Sequence, residues 1–159
     1  MAVVVGYSGT PLPQKLGIKA ESRLALAFAP SDFDETLGPL PPGVKPLVWG
    51  RAKGPFDVIV AFFRSEAALS KELPKLHAAL EPNGGLWAAW PKKASGVATD
   101  MTEDAVRKHA LPRGLVDNKV CAIDATWSGL RLVIRVEQRA GRAKPVRGAA
   151  ASSKRPSRK

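Results

Sequence analysis

The sequence has too few cysteines and histidines to build most metal and redox sites. Cys121 is the only cysteine, so no disulfide can form within the chain and no metal site can rest on a cysteine cluster. His77 and His109 are the only histidines, so we expect no zinc site. The chain also has no Ser/His/Asp arrangement, no phosphate-binding loop and no metal motif. We therefore predict no catalytic residues and no metal ligands.

Long hydrophobic runs are also missing. No apolar run approaches the roughly 20 residues that a membrane-spanning helix needs. The apolar start at residues 1–5 is too short for the core of a signal peptide, so we expect a cytoplasmic protein that does not contact a membrane. The 159 residues, of which 45% are hydrophobic, fit one domain with a core of its own.

Positive charge is concentrated at one end of the chain. The sequence has 25 basic and 14 acidic residues, for a net charge of +11. Residues 139–159 contain no acid and eight of the basic residues, which are Arg139, Arg142, Lys144, Arg147, Lys154, Arg155, Arg158 and Lys159. The other 17 basic residues are nearly balanced by the 14 acids. Because residues 139–159 have almost no large apolar side chain, we predict a disordered basic tail after a single domain over residues 1–138.

The tail has a composition suited to nucleic acid. Flexible cations neutralise phosphates and release counterions, which gives salt-sensitive binding that does not depend on base sequence. Residues 139–159 have no aromatic side chain, so we expect no base stacking. The alternative is an extension that only increases solubility or has no role, and both interpretations stay open.

The order of the predicted elements is that of an α/β domain. Four strands are predicted at residues 23–29, 47–49, 56–63 and 86–90, and two helices at residues 65–80 and 100–110. Two further strands at residues 119–125 and 130–136 form a hairpin around residues 126–129. Strand–helix–strand units predict parallel pairing. We expect a small Rossmann-like α/β fold, with a mostly parallel sheet and a C-terminal antiparallel hairpin.

Local signals mark the helix boundaries and the loops. Ser65 is a predicted N-cap, and Pro74 should kink or restart the first helix. The buried face of that helix is predicted from leucine spacing and consists of Leu69, Leu73, Leu76 and Leu80. Asp100 is the predicted cap of the second helix, with Glu103 as its capping-box partner. Residues 6–17 and 37–46 are predicted to be irregular because of their prolines and glycines, although Leu12 and Leu16 could anchor the first of these segments on the core.

Four segments of the chain resemble a bacterial family known as domain of unknown function 3052. They are GYSGTPLPQKLGIK at 6–19, FDVIVAFF at 56–63, LWAAWPKKASGVATDMTEDAVRK at 86–108 and ALPRGLVDNKVCAIDATWSGLRLV at 110–133. The resemblance covers most of residues 5–137. That family has no established activity, so the resemblance implies no function.

A second resemblance concerns the fold. FDVIVA, the helix after it and LEPNGGLWAAW resemble the fourth strand, the next helix and the fifth strand of class I S-adenosylmethionine-dependent methyltransferases. This resemblance implies a methyltransferase-like sheet. The family usually has a glycine-rich loop after its first strand, whereas here residues 30–34 read PSDFD and the first glycine after this strand is Gly38. Trp49, Gly50 and Arg51 stand where the family has its cofactor-binding acid. We therefore expect no cofactor in the usual mode.

The loops after the strands contain the candidate ligand-binding residues, because ligands of open α/β sheets bind at the carboxyl ends of the strands. These residues are Asp32, Arg64, Ser65, Lys92, Lys93, Ser95 and Trp127. Arg64 and the two lysines would receive a phosphate or a carboxylate, or else they are ordinary solvated charges. Trp127, which is predicted in the hairpin turn, would either form a wall for a ligand or fold over the core.

Other aromatic and nucleophilic residues have structural interpretations. Trp87 and Trp90 are three residues apart in a strand, so they should face opposite sides of the sheet. Cys121 is predicted to be a buried, inert thiol. The sequence favours a non-enzymatic α/β domain that binds a small anion or a protein partner. The alternatives are an enzyme related to S-adenosylmethionine-dependent methyltransferases and a nucleic-acid-associated protein that acts through its tail.

Overall fold

A six-stranded sheet lies at the centre of the fold in the computed structural model, which describes residues 10–139. The strands are β1 Leu24–Ala27, β2 Pro46–Val48, β3 Phe56–Phe62, β4 Leu80–Pro91, β5 Leu115–Ala122 and β6 Trp127–Ile134. The helices are α1 Leu12–Lys15, α2 Phe33–Leu37, α3 Glu66–Ala78, α4 Glu103–Ala110 and α5 Val136–Arg139. Two short 3₁₀ turns lie at Lys93–Ser95 and Leu111–Arg113.

The strand order is β2-β1-β3-β4-β6-β5. Strands β2, β1, β3 and β4 pair in parallel with one another, whereas β6 is antiparallel to both β4 and β5. The mixed α/β fold, with a mostly parallel sheet and a closing antiparallel hairpin, confirms the prediction. The chain leaves β1 towards one edge of the sheet and leaves β3 towards the other, so the strand order reverses between β1 and β3.

Two apolar layers cover the two faces of the sheet. Helices α3 and α4 cover one face, on which Trp90 lies, and α1 and α2 cover the other, on which Trp87 lies. The two tryptophans therefore face opposite sides, as predicted. Both are buried, and burial of a large apolar side chain is worth about 1.5–3 kcal/mol.

Helix α3 follows its sequence signals closely. The Ser65 side chain caps the helix by accepting a hydrogen bond from the Ala68 backbone N–H at 3.1 Å. The four predicted leucines, Leu69, Leu73, Leu76 and Leu80, are fully buried. The helix continues through Pro74 to Ala78, so the predicted restart does not occur.

The predicted cap of α4 is wrong. The cap is Thr102, whose hydroxyl accepts a hydrogen bond from the Ala105 N–H at 3.0 Å. Asp100 lies too early to reach these amide groups. Its Oδ1 accepts instead from the backbone N–H of Glu66 at 2.8 Å, so it satisfies an amide at the start of α3.

The predicted hairpin exists, but its turn lies three residues earlier than expected. The turn is fixed by Asp124, whose Oδ1 accepts from the N–H groups of both Thr126 and Trp127 at 2.8 Å. Trp127 is therefore the first residue of β6 and pairs with Pro91, and it is not a turn residue. The turn was predicted at residues 126–129 (TWSG) because serine and glycine are typical of turns.

The N-terminal part of the described chain is more regular than predicted. Leu12–Lys15 forms one helical turn, and Gly17 ends it at a φ of 81°, with the Ile18 N–H donating to the Pro13 carbonyl at 2.9 Å. Leu16 is fully buried, as expected of an anchor.

Candidate functional site

The loops after β1, β3 and β4 meet at one edge of the sheet, because these strands are parallel neighbours. We call this the carboxyl edge and define it by Asp32, Arg64, Lys92 and Lys93. It includes the point between β1 and β3 where the strand order reverses, which is the usual ligand position in open α/β sheets.

Three aromatic rings, those of Phe33, Phe62 and Trp127, pack against one another next to the carboxyl edge. The ring centroids of Phe33 and Phe62 are 4.9 Å apart, and those of Phe62 and Trp127 are 5.0 Å apart, both in edge-to-face geometry. The guanidinium carbon of Arg64 lies 5.5 Å from the centroid of the Trp127 ring. Such a cation–π contact is worth about 0.5–1 kcal/mol at an exposed site. The Trp127 ring thus packs on the core and supports Arg64.

The cations of the carboxyl edge are exposed or half-buried, and backbone hydrogen bonds fix the positions of Arg64 and Lys92. The backbone carbonyl of Arg64 accepts from the Thr99 hydroxyl at 2.6 Å. The Lys92 N–H donates to the Thr126 carbonyl at 2.7 Å, which places Lys92 beside Trp127. Among residues 10–139, no carboxylate forms a salt bridge with Arg64, Lys92 or Lys93.

The two candidate serines hold the loops in place. The Ser65 hydroxyl caps α3, and the Ser95 hydroxyl donates to the Lys92 carbonyl at 2.6 Å while accepting from the Val97 N–H at 3.2 Å. Asp32 is exposed and precedes α2 without forming a side-chain cap. The structure therefore brings Arg64, Lys92 and Trp127 together and gives both serines a positioning role.

Phe28, which follows β1, has a conformation that favours glycine. Its φ is 59°, its side chain is 51% exposed, and its ring centroid is 5.8 Å from that of Phe63. A bulky residue with positive φ is strained, and such strain often occurs at functional sites. No sequence pattern marks Phe28, because the strain follows from the path of the chain between β1 and α2.

The described residues do not fit the usual binding mode of S-adenosylmethionine. That mode needs a close approach of the backbone after β1, and here the Phe28 side chain and Pro30 occupy this segment. It also needs a carboxylate after β2, where the chain has Trp49, Gly50 and Arg51.

A charged cluster joins the start of α3, next to the carboxyl edge, to the end of α4. Glu66 Oε1 lies 2.8 Å from Lys108 Nζ and 2.9 Å from His109 Nε2. Hydrogen bonds from Lys108 and then from His109 hold the pKa of Glu66 below its usual value of 4.5. The cluster therefore has a clear structural role, which is to connect the two helices.

The remaining thiol, acidic and histidine side chains of the described chain indicate neither a reactive thiol nor a metal site. Burial raises the pKa of the Cys121 thiol, which favours the inert interpretation. Residues 10–139 contain no cluster of three or more histidine, cysteine or acidic side chains that could hold a metal ion. Within the same residues, every helix is too short or too polar to cross a membrane.

Comparisons with known proteins identify the fold and not the family. No protein-family model matches the chain, and no curated protein matches it either. The resemblance to domain of unknown function 3052 therefore stays a prediction. Solved structures of methyltransferases do match at the level of fold, with probability 1.00.

Three of these structures illustrate the likeness. A SAM-dependent methyltransferase from Aquifex aeolicus has 14% identity and a TM-score of 0.55, over 76% of this chain and 86% of the other. The ribosomal protein L11 methylase from Lactobacillus delbrueckii subsp. bulgaricus has 12% identity and a TM-score of 0.55, over 78% and 75%. A methyltransferase from Pyrococcus furiosus has 12% identity and a TM-score of 0.51, over 79% and 80%. The chain has the fold of these enzymes.

Proposed function

We propose that this protein is a non-enzymatic domain with a methyltransferase-like fold that binds a small anionic ligand at the carboxyl edge. Arg64 is the main contact, and Lys92 and Lys93 add positive charge. The observation that carries the proposal is the position of the Arg64 guanidinium over the Trp127 ring, with no carboxylate of residues 10–139 in salt-bridge contact.

The chemistry of arginine favours a carboxylate or a phosphate. The guanidinium is planar and donates two parallel hydrogen bonds, which match the oxygens of either group. The guanidinium lies over the Trp127 ring, and the hydrogen bond from the Thr99 hydroxyl fixes the Arg64 backbone. A held guanidinium loses less side-chain entropy on binding, so the site is partly organised before the ligand arrives.

The same edge offers little support for catalysis. Asp32 is its only candidate carboxylate, and its two serine hydroxyls are engaged with the backbone. His109 lies close to this edge, because its Nε2 is 2.9 Å from Oε1 of Glu66, two residues after Arg64. The hydrogen bond described for this ring goes to Glu66 and not to a hydroxyl or a thiol, so no nucleophile is paired with a general base in the described part of this edge.

Thermal unfolding of the full chain tests the proposal. Sodium salts of citrate, benzoate and adenosine monophosphate would be compared at constant ionic strength. An anion at 100 times its dissociation constant adds about 2.7 kcal/mol of stability, which raises the melting temperature by several degrees in a domain of this size. We expect the rise to disappear in Arg64→Gln and to persist in Lys71→Gln, a variant with the same loss of charge on the exposed side of α3. An equal rise in both variants would contradict the role of Arg64.

A second candidate is an enzyme related to S-adenosylmethionine-dependent methyltransferases, with an altered cofactor loop. The sheet order and the closing β5–β6 hairpin favour it, together with the fold likeness to solved methyltransferases. The test is the same unfolding measurement with S-adenosylmethionine and S-adenosylhomocysteine. A rise of several degrees would favour the enzyme, and no change at millimolar concentration would remove it.

Two other predictions concern partners. Nucleic-acid binding through residues 139–159 stays a prediction, because that segment lies outside the described residues apart from the backbone of residue 139. Binding of a protein partner at the carboxyl edge is the alternative to a small anion. The salt-dependent DNA assay described in the Discussion tests the first of these.

A further inference from the structure

A second basic site lies on the face of the sheet that α1 covers. It is a cleft of about 230 Å³, which we call the basic cleft. Its lining residues are Lys15, Gly17, Asn118, Lys119 and Arg131. None of these residues is acidic, so three cations surround a space large enough for a phosphate group.

The sheet register explains why these cations meet. Arg131 in β6 pairs with Lys119 in β5 and with Trp87 in β4, so the three side chains lie in one row on one face. A Cβ at Gly85 would clash with the Arg131 guanidinium, so this side chain lies flat against the β4 backbone. The guanidinium is therefore held at the floor of the basic cleft.

The end of α1 forms the opposite wall. The Trp87 indole N–H donates to the Leu16 carbonyl at 2.9 Å and fixes this end of the helix on the sheet. Lys15 is the residue before this anchor, and Gly17 the residue after it. Lys15 therefore lies across the cleft from the cross-strand row of Trp87, Arg131 and Lys119.

The two lysines of the basic cleft have no balancing carboxylate among the described residues, whereas Arg131 has an interaction of its own. Neither Lys15 nor Lys119 forms a salt bridge with a carboxylate of residues 10–139. The ammonium groups of Lys15, Lys119 and Lys92 all oppose the effect of burial on the pKa of the neighbouring Cys121 thiol. Lys15 and Lys119 line the same cleft and have like charges, so a bound anion would reduce the repulsion between them.

We propose that the basic cleft binds a phosphate group, through Lys15 and Lys119 at its walls and Arg131 at its floor. A wider groove of about 480 Å³ shares Gly17 and Arg131 with the basic cleft and continues past Lys19, Ser22 and Asn83. This groove is also lined by the carboxylates of Asp57 and Glu81, so the phosphate group belongs in the basic cleft and not in the groove. This continuation offers space for the organic part of a phosphate monoester. The inference is independent of the carboxyl edge, since the two sites have no residue in common.

Nuclear magnetic resonance of the full chain tests this site directly. Inorganic phosphate and glycerol phosphate would be titrated at constant ionic strength, with the backbone amides of Gly17 and Asn118 as reporters. We expect saturable shifts of both amides, and a dissociation constant at least tenfold higher in the double variant Lys15→Gln, Lys119→Gln. The control Lys71→Gln should bind like the unaltered chain. Both lysines are outside the core, so the double variant should fold.

The outcomes separate this site from the proposed function. Arg64→Gln should leave the phosphate shifts of Gly17 and Asn118 unchanged. Tighter binding of glycerol phosphate than of inorganic phosphate would support a monoester ligand, and the reverse order would support the free ion. Equal phosphate affinity in the double variant and the unaltered chain would overturn the inference, as would phosphate shifts centred on Arg64 and Lys92.

Discussion

The indole N–H of Trp87 donates a hydrogen bond to the backbone carbonyl of Leu16 at 2.9 Å, across 71 residues of sequence. This bond connects the centre of the sheet to the end of α1, and both residues are fully buried. It places α1 beside the β5–β6 hairpin and so forms one wall of the basic cleft. A single buried hydrogen bond therefore organises the face of the molecule opposite to α3 and α4.

Replacement of Trp87 by phenylalanine should destabilise the protein more than the same replacement at Trp90. Both tryptophans are buried, and the described residues give the Trp90 indole no hydrogen-bond acceptor. The two variants lose similar packing, but only Trp87→Phe leaves the Leu16 carbonyl unpaired. A buried unpaired carbonyl costs about 1–3 kcal/mol. Urea unfolding measures the difference, and equal destabilisation of the two variants would refute the importance of this bond.

Phe28 provides a test of backbone strain at the carboxyl edge. Phe28→Gly and Phe28→Ala both remove the ring contact with Phe63, but only glycine adopts a φ of 59° without cost. We expect the glycine variant to be more stable than the alanine variant by about 1 kcal/mol, since the left-handed conformation costs other residues about 1–2 kcal/mol. Chemical denaturation decides this. If the alanine variant were at least as stable as the glycine variant, the backbone at position 28 would not be strained, and the prediction would be wrong.

The local signals of this sequence were sufficient for much of the fold. Ser65 and the leucine spacing after it define α3, because capping and helical periodicity are properties of neighbouring residues. The β-branched and aromatic run from residue 56 marks β3 for the same reason. The parallel pairing of the central strands then follows from the alternation of strands and helices.

Features that depend on distant contacts could not be predicted. The start of β4 at Leu80 depends on its pairing with Phe56, and the turn before β6 depends on the side chain of Asp124. The candidate residues were predicted from the positions at which the predicted strands end, because ligands of open α/β sheets bind there. The stacking of Arg64 on Trp127 was not predicted, because Trp127 was assigned to the turn.

Stability should fall on acidification through the loss of the Glu66 cluster. The pKa of Glu66 is lowered in the folded chain, chiefly by Lys108, so the folded state binds fewer protons than the unfolded state near pH 4.5. The stabilisation is therefore complete above this pH and is lost as the pH falls through the lowered pKa. Glu66→Gln should lose stability at pH 7 and show a flatter acid limb. Denaturation between pH 2 and pH 7 would measure both effects.

A matched control for this prediction lies on the same helix. Glu72 forms no salt bridge within residues 10–139, so Glu72→Gln should follow the pH profile of the unaltered chain. If the Glu66 and Glu72 variants had the same acid limb, the cluster with Lys108 and His109 would contribute nothing to acid stability.

The basic tail predicts retention on DNA that depends on salt. A full-length variant with glutamine at all eight basic positions of residues 139–159 would be compared with the unaltered chain on immobilised DNA. We expect the unaltered chain to bind at about 50 mM salt and to elute by about 200 mM, because each phosphate contact adds to the salt dependence. The variant should pass through at both concentrations. Failure of the unaltered chain to bind at low salt would remove the nucleic-acid interpretation.

Calorimetric titration measures whether Arg64, on the ring of Trp127, holds a small anion. The anion with the largest thermal shift would be titrated into the unaltered chain, Arg64→Gln and Lys71→Gln at constant ionic strength. The account predicts one binding site in the unaltered chain and the same affinity in Lys71→Gln. It also predicts at least a tenfold loss in Arg64→Gln, which corresponds to about 1.4 kcal/mol. Unchanged affinity in Arg64→Gln would contradict the account.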